Sequence, residues 1–121
     1  MATIEIKEAH FEELISKTGT VLIDFWAAWC APCHAFAPVY EAASEKYSNL
    51  TFAKVDTEAE QGIAGTAGIT SIPTLMIFRD GILIFNQPGA LPISALEDII
   101  DKVAALDMDQ VRKQILDSEI K

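Results

Sequence analysis

The passage from Thr20 to Tyr47 constrains the fold more than any other. Thr20 to Trp29 is the most continuously apolar run near the N-terminus, and its Thr20–Trp26 part reads as a strand apolar on both faces. Such a strand belongs in the middle of a sheet that helices cover on both sides. Ala31 to Tyr47 reads as a helix, so Trp29-Cys30-Ala31-Pro32-Cys33-His34 falls where the strand gives way to it. That short stretch holds both cysteines of the chain. Positions three apart on a helix lie about 5–6 Å from each other, within the range a disulfide spans. A helix N-terminus also presents unpaired N–H groups and a partial positive charge, which favour a thiolate over a thiol. Reversible dithiol–disulfide exchange is the chemistry these residues suggest.

Around that junction the chain alternates strands and helices. Thr3 to Ile6 reads as a short strand. Glu8 to Lys17 carries Phe11, Leu14 and Ile15 at helical spacing, with Gly19 as a C-cap glycine. Pro38 removes one backbone donor from the Ala31–Tyr47 helix and is expected to kink it. Leu50 to Val55 reads as a third strand. Thr57-Glu58-Ala59-Glu60 has the form of a capping box opening a third helix, which Gly62 and Gly65 weaken. After Pro73 come a strand over Thr74–Phe78, an Asp80-Gly81 hairpin signal and a strand over Ile82–Asn86. Pro92 to Leu106 closes the core as a helix with Leu96, Ile99 or Ile100, and Val103 inward. The order βαβαβαββα predicts an α/β fold: a mixed five-stranded sheet flanked by about four helices. His10 reads as a solvated surface histidine.

Asp24 is the one charge in the central strand. An unpaired carboxylate there is costly and tends to stay protonated. It is either a structural partner for a nearby lysine or a proton acceptor that deprotonates Cys33, and the second reading is preferred. Two metal chemistries compete for the same cysteines. Zinc needs four ligands, whereas the chain offers two cysteines, His34 adjoining Cys33, and a distant His10. Cys30-Ala31-Pro32-Cys33-His34 also matches the c-type haem signature, with Met76 or Met108 as a conceivable axial ligand. The buried strand before it and the sheet-rich sequence after it argue against haem attachment.

Asp24-Phe25-Trp26-Ala27-Ala28-Trp29-Cys30-Ala31-Pro32-Cys33, followed later by Ile72-Pro73-Thr74, resembles the thioredoxin family over about residues 3–105. The resemblance implies a thioredoxin-like fold and a protein-disulfide reductase that works through a mixed disulfide and contributes to redox homeostasis. It needs no cofactor beyond its own redox-active disulfide and an external reductant. Cys30 is then the exposed nucleophile and Cys33 the more buried resolving thiol. Lys54 lies near Asp24 as a modulator. Pro73 is cis and faces the cysteines, and the Ile72 backbone pairs with an extended substrate segment. Gly89 and Ala90 form another loop of that surface, and Trp29, Ala31, Pro32, Ile72 and Ala90 make an uncharged patch around Cys30. Ala31, Pro32 and His34 tune the redox potential; Ala31 and His34 stand where the family most often has glycine and lysine. The implied partners are disulfide-bonded proteins and a thioredoxin reductase that recharges a monomer.

Net charge excludes some alternatives. With 18 acidic residues against 9 basic, the chain carries −9, which argues against nucleic acid and anionic membranes as partners. No run approaches a membrane span, and Met1-Ala2-Thr3-Ile4-Glu5-Ile6-Lys7 lacks a signal-peptide core. A cytoplasmic protein is therefore expected. The other functional class is a thioredoxin-like binding or scaffold module with incidental redox activity. Cys30, Cys33, Asp24 and Pro73 are all present, which favours the enzyme.

The division expected is a domain over residues 1–106 and a C-terminal helical extension over residues 107–121, which the resemblance does not cover. Asp107-Met108-Asp109-Gln110 is a second capping-box candidate. Met108, Val111 and Ile115 make a narrow apolar stripe, and Asp109 and Lys113 a spaced ion pair. Continuation of the preceding helix and a disordered tail are the alternatives.

Overall fold

The computed structural model describes residues 2–120, the side chain of Ile120 excepted. Five strands, β1 (Thr3–Glu5), β2 (Thr20–Trp26), β3 (Thr51–Asp56), β4 (Thr74–Arg79) and β5 (Ile82–Pro88), form one sheet in the order β1-β3-β2-β4-β5. β1, β3 and β2 run parallel, while β4 and β5 are antiparallel to their neighbours. The helices are α1 (Phe11–Ile15), α2 (Ala31–Lys46), α3 (Gln61–Thr66), α4 (Ile93–Ala104) and α5 (Met108–Ile120). The mixed five-stranded sheet with helices on both faces is the expected architecture.

Alternation along β2 sorts its side chains between two cores. Leu22 packs with Phe36, Tyr40 and Ala43 of α2 and with Leu96, Ile100 and Val103 of α4. Val21, Ile23 and Phe25 face the other way, onto Phe11 and Leu14 of α1 and Ile63 of α3. β2 is therefore buried on both sides, as its uniform apolarity requires. On α4 the inward residues are Leu96, Ile100 and Val103, and Ile99 is only partly buried. α2 runs unbroken through Pro38, and Pro32 occupies its first turn, where no backbone donor is needed.

Four local readings change in three dimensions. The first helix is only a 3-10 turn at Glu8–His10 followed by α1. Gly19 does not cap it; with φ +86° it makes the turn into β2, pairing by its N–H and C=O with Asp80. Thr57 and Glu60 form no capping box, because both are engaged by other parts of the chain. Thr57 donates from its N–H and its hydroxyl to the Trp26 carbonyl, at 2.9 and 3.1 Å. Glu60 accepts from the Glu8 N–H at 2.9 Å, and the Asp56 carboxylate receives the N–H groups of Glu58 and Ala59. α3 begins only at Gln61.

At the C-terminal end, α4 stops at Ala104, so the chain does not continue as one helix. Asp107 accepts from the N–H groups of Asp109 and Gln110 and starts α5 anew. Asp109 pairs with Arg112, not with Lys113, because Arg112 also reaches Asp80 in the hairpin. Met108 is buried and Val111 half-buried, but Ile115 and the neighbouring Leu116 are 39% and 56% exposed. Only the first turn of the apolar stripe is docked.

The hairpin is as the sequence suggests. Asp80 (φ +52°) and Gly81 (φ +82°) both occupy the left-handed region that a two-residue turn between twisted strands demands.

Candidate active site

The chain leaves the C-terminal end of the central strand β2, and Cys30 becomes the N-cap of α2 with extended backbone angles (φ −93°, ψ 108°). Its Sγ accepts the Cys33 N–H at 3.2 Å. A sulfur thus fills the place of the oxygen that usually caps a helix, where unpaired donors and the helix dipole favour negative charge. Cys30 and Cys33 form a disulfide with their Cα atoms 5.2 Å apart. Both cysteines are 3% exposed, which corrects the expectation of an exposed Cys30 above a buried Cys33. Packing of the disulfide against Ala27, Trp26 and Ile72 encloses the pair equally. What separates them is position, since Cys30 lines an open groove and Cys33 does not.

That groove, of about 390 Å³, runs from Trp29, Ala31 and Pro32 to the loop before β4, where Ser71 and Ile72 form its wall. Ile72-Pro73 is a cis peptide. The Ile72 carbonyl lies 3.8 Å from Cys30 Sγ, so the proline loop sits directly against the disulfide. Pro73 itself is buried, and its carbonyl accepts the Gly89 N–H at 2.8 Å. Gly89, at φ +106°, and the exposed Ala90 lie outside the groove lining. Of the five residues expected to form the uncharged patch, Trp29, Ala31, Pro32 and Ile72 line the groove and Ala90 does not.

Trp29 is 70% exposed, with its indole N–H held by Glu58 at 2.7 Å. Sequence reasoning missed Glu58 because it read that residue as helix-start chemistry. It also missed the far wall of the groove, Thr57, Ala64 and Ile69, which carries no local signal. His34 is exposed and folds back so that Nε2 lies 2.6 Å from the Ala28 carbonyl, tying the first turn of α2 to the loop before it.

Asp24 lies on β2 two residues before Trp26, on the face shared with Leu22. It is 1% exposed, and neither carboxylate oxygen has a hydrogen-bond partner among the described residues. Burial raises its pKa from near 3.8 to about 7; Lys54 opposes the rise and Glu5 adds to it. Lys54 sits beside Asp24 in register on β3, with its ammonium 4.9 Å from the centre of the Trp26 ring. Sequence and structure thus agree on Asp24 and Lys54 as neighbours. The contribution of Glu5 had no sequence signal, because β1 is too short to show which strand it joins. Tyr40 completes the surroundings; its hydroxyl donates to the Ala53 carbonyl at 2.7 Å, and burial pushes its pKa well up. Among the described residues, no group of three or more His, Cys, Asp and Glu side chains is gathered as metal ligands.

Comparison with known proteins places this geometry among relatives. A sequence model of the thioredoxin family matches residues 2–102. A protein of Streptomyces coelicolor named putative thioredoxin 2 is 49% identical over 118 residues, which span 98% of this chain and 88% of that one. A thioredoxin of Porphyra purpurea is 41% identical over 104 residues, 84% of this chain and 97% of its own. Among solved structures, thioredoxin of Plasmodium falciparum superposes with a TM-score of 0.75 at 36% identity, covering 83% of this chain and 97% of that one. The Streptomyces match reaches over the C-terminal helix, whereas the family match ends before it.

Proposed function

The chain belongs to the thioredoxin family, a family of thiol–disulfide oxidoreductases, and we propose that it reduces protein disulfides with Cys30 as nucleophile and Cys33 as resolving thiol. The observation that carries the assignment is Cys30 Sγ at the N-cap of α2, accepting the Cys33 N–H on the rim of the groove. In the reduced protein a Cys30 thiolate attacks one sulfur of a substrate disulfide. A Cys30–substrate mixed disulfide forms, and the other substrate sulfur leaves as a thiolate that takes a proton. Cys33 gives its proton to the Asp24 carboxylate and attacks Cys30 Sγ. The Cys30–Cys33 disulfide closes and the second substrate thiolate leaves. Two electrons have passed from the dithiol to the substrate, and an external reductant, a thioredoxin reductase, returns them.

A carboxyl pKa of about 7 suits Asp24 to this exchange, because it is ready both to take and to release a proton near neutrality. Lys54 modulates it. Trp29, Ile72, Pro73, Gly89 and Ala90 make the substrate surface, on which an extended segment pairs with the Ile72 backbone. Ala31, Pro32 and His34 tune the redox equilibrium through the stiffness and charge of the helix start. No helix among the described residues is long and apolar enough to cross a membrane; we place the protein in the cytoplasm as a monomer. Residues 1–106 form the redox domain in this reading and residues 107–121 an accessory helix.

Insulin reduction with dithiothreitol tests the proposal. The wild-type chain should accelerate precipitation of the insulin B chain, and the Cys30→Ser/Cys33→Ser variant should run at the rate of dithiothreitol alone. Equal rates for the two proteins would leave a binding module in place of a reductase.

A further inference from the structure

β1 lies at the edge of the sheet, and its register with β3 sets Glu5 beside Lys54. The register of β3 with β2 sets Lys54 beside Asp24. Residues paired across parallel strands project from the same face, so three adjacent strands carry a carboxylate, an ammonium and a carboxylate in one row. The middle charge is therefore shared. Trp26 bridges the row from β2. Its ring lies under the Lys54 ammonium, and its buried indole N–H makes no well-formed hydrogen bond but is near enough to Glu5 to favour the ionised form.

We propose that Glu5 is a positioning residue for the reaction: as the outer carboxylate of the Glu5–Lys54–Asp24 row, it keeps Lys54 from pairing fully with Asp24 and so leaves Asp24 able to take the Cys33 proton. The inference rests on the reading of Asp24 as that acceptor. A lysine paired with Asp24 alone would hold the carboxylate ionised and make it a poor base. With Glu5 on its other side the ammonium divides its attraction, and the negative charge of Glu5 also acts on Asp24 directly. Both effects favour the protonated form of Asp24.

The groups that face Asp24 from the packed elements are few. β3 presents Lys54 and β1 presents Glu5. α2 presents Tyr40, which burial keeps neutral and whose hydroxyl donates to the Ala53 carbonyl. β4 sets Leu75 beside Asp24, and α4 meets this core with Leu96, Ile100 and Val103. The pKa of Glu5 is itself raised, by partial burial first and by Asp56, against the opposing charges of Lys54 and Lys7. Glu5 is exposed at the sheet edge, so solvent weakens its influence. Its exposure also means that replacing it leaves the core intact.

The test is a pH titration of the Asp24 carboxyl carbon by 13C NMR in the oxidised full-length protein, with Asp24→Asn to assign the resonance. Glu5→Gln should lower the midpoint by roughly half a pH unit, while Glu5→Asp, which keeps the charge, should stay close to wild type. The pH profile of Cys33-dependent resolution, followed by stopped flow, should move in the same direction in Glu5→Gln. A midpoint that stays put in Glu5→Gln while Asp24→Asn slows resolution overturns the role of Glu5 alone. A resolving rate indifferent to Asp24→Asn overturns the acceptor reading, and the role given to Glu5 falls with it.

Discussion

The two ends of strands β2 and β4 are built on opposite terms. At the end where β2 leaves the sheet and β4 enters it, polar groups are left unpaired: both oxygens of Asp24 and the indole N–H of Trp26 are buried with no hydrogen-bond partner among the described residues. At the other end Arg79 and Asp80 are both engaged. Arg79 donates through one guanidinium nitrogen to the carbonyls of Val103, Ala104 and Leu106, at 2.6, 3.1 and 3.1 Å, closing the C-terminal end of α4. Asp80 accepts the Gly19 N–H at 2.7 Å and meets Arg112 of α5 at 3.5 Å. Buried polar groups cost little once satisfied and several kcal/mol when not. The far end therefore holds the molecule together, while the disulfide end carries a destabilising carboxylate, the one proposed to take the Cys33 proton.

That contrast predicts that changes at one end alter chemistry and changes at the other alter stability. The largest effect belongs to the cysteines. Cys30→Ser should abolish both insulin reduction and capture of a disulfide substrate. Cys33→Ser should still attack and then accumulate mixed disulfide, visible on non-reducing gels. Equal capture by both variants would break the assignment, and their equal burial makes this a sharp test.

Asp24→Asn should slow the resolving step about 10-fold or more at neutral pH while making the protein more stable. The sign follows from the raised pKa. Below about pH 4 the carboxyl is protonated in folded and unfolded chains alike, so the substitution gains nothing there. Between pH 4 and about 7 the unfolded chain ionises first, and wild-type stability falls as pH rises. Above that window the gain levels off at about 2–4 kcal/mol. Urea denaturation across this range checks it, and a gain already complete at pH 4 would remove burial of charge as the cause.

Arg79→Ala should do the reverse. Three carbonyls lose their donor, and stability should drop by about 2 kcal/mol, while insulin reduction by the folded protein stays near wild type. A fall in activity without a fall in stability would merge the two ends.

Truncation after Leu106 should have the smallest effect, about 1 kcal/mol, because Met108 is the only buried side chain among the described residues of the helix and the Arg112 pairs are partly solvated. Disulfide reduction should survive. A large loss of reductase rate in the folded truncated chain would tie α5 to the disulfide end.

Sequence by itself determined whatever rests on neighbouring residues. The unbroken apolarity of Thr20–Trp26 made β2 central, Asp80-Gly81 made the hairpin, Pro32 behind Cys30 started α2, and Asp107 started α5, because a turn or cap is decided within a few residues. The motifs about Cys30 and Pro73 supplied the family by resemblance. Only the tertiary structure decided which distant groups compete for the same atoms. The Trp26 carbonyl took Thr57 away from its capping box, Asp80 drew Arg112 into the place assigned to Lys113, and Ile72 packed over the disulfide until both cysteines were equally buried. The row Glu5–Lys54–Asp24 exists only because β3 lies between β1 and β2. Strand order is settled by how the faces of the sheet are covered, and the pKa of a buried carboxylate by every charge that this order brings near.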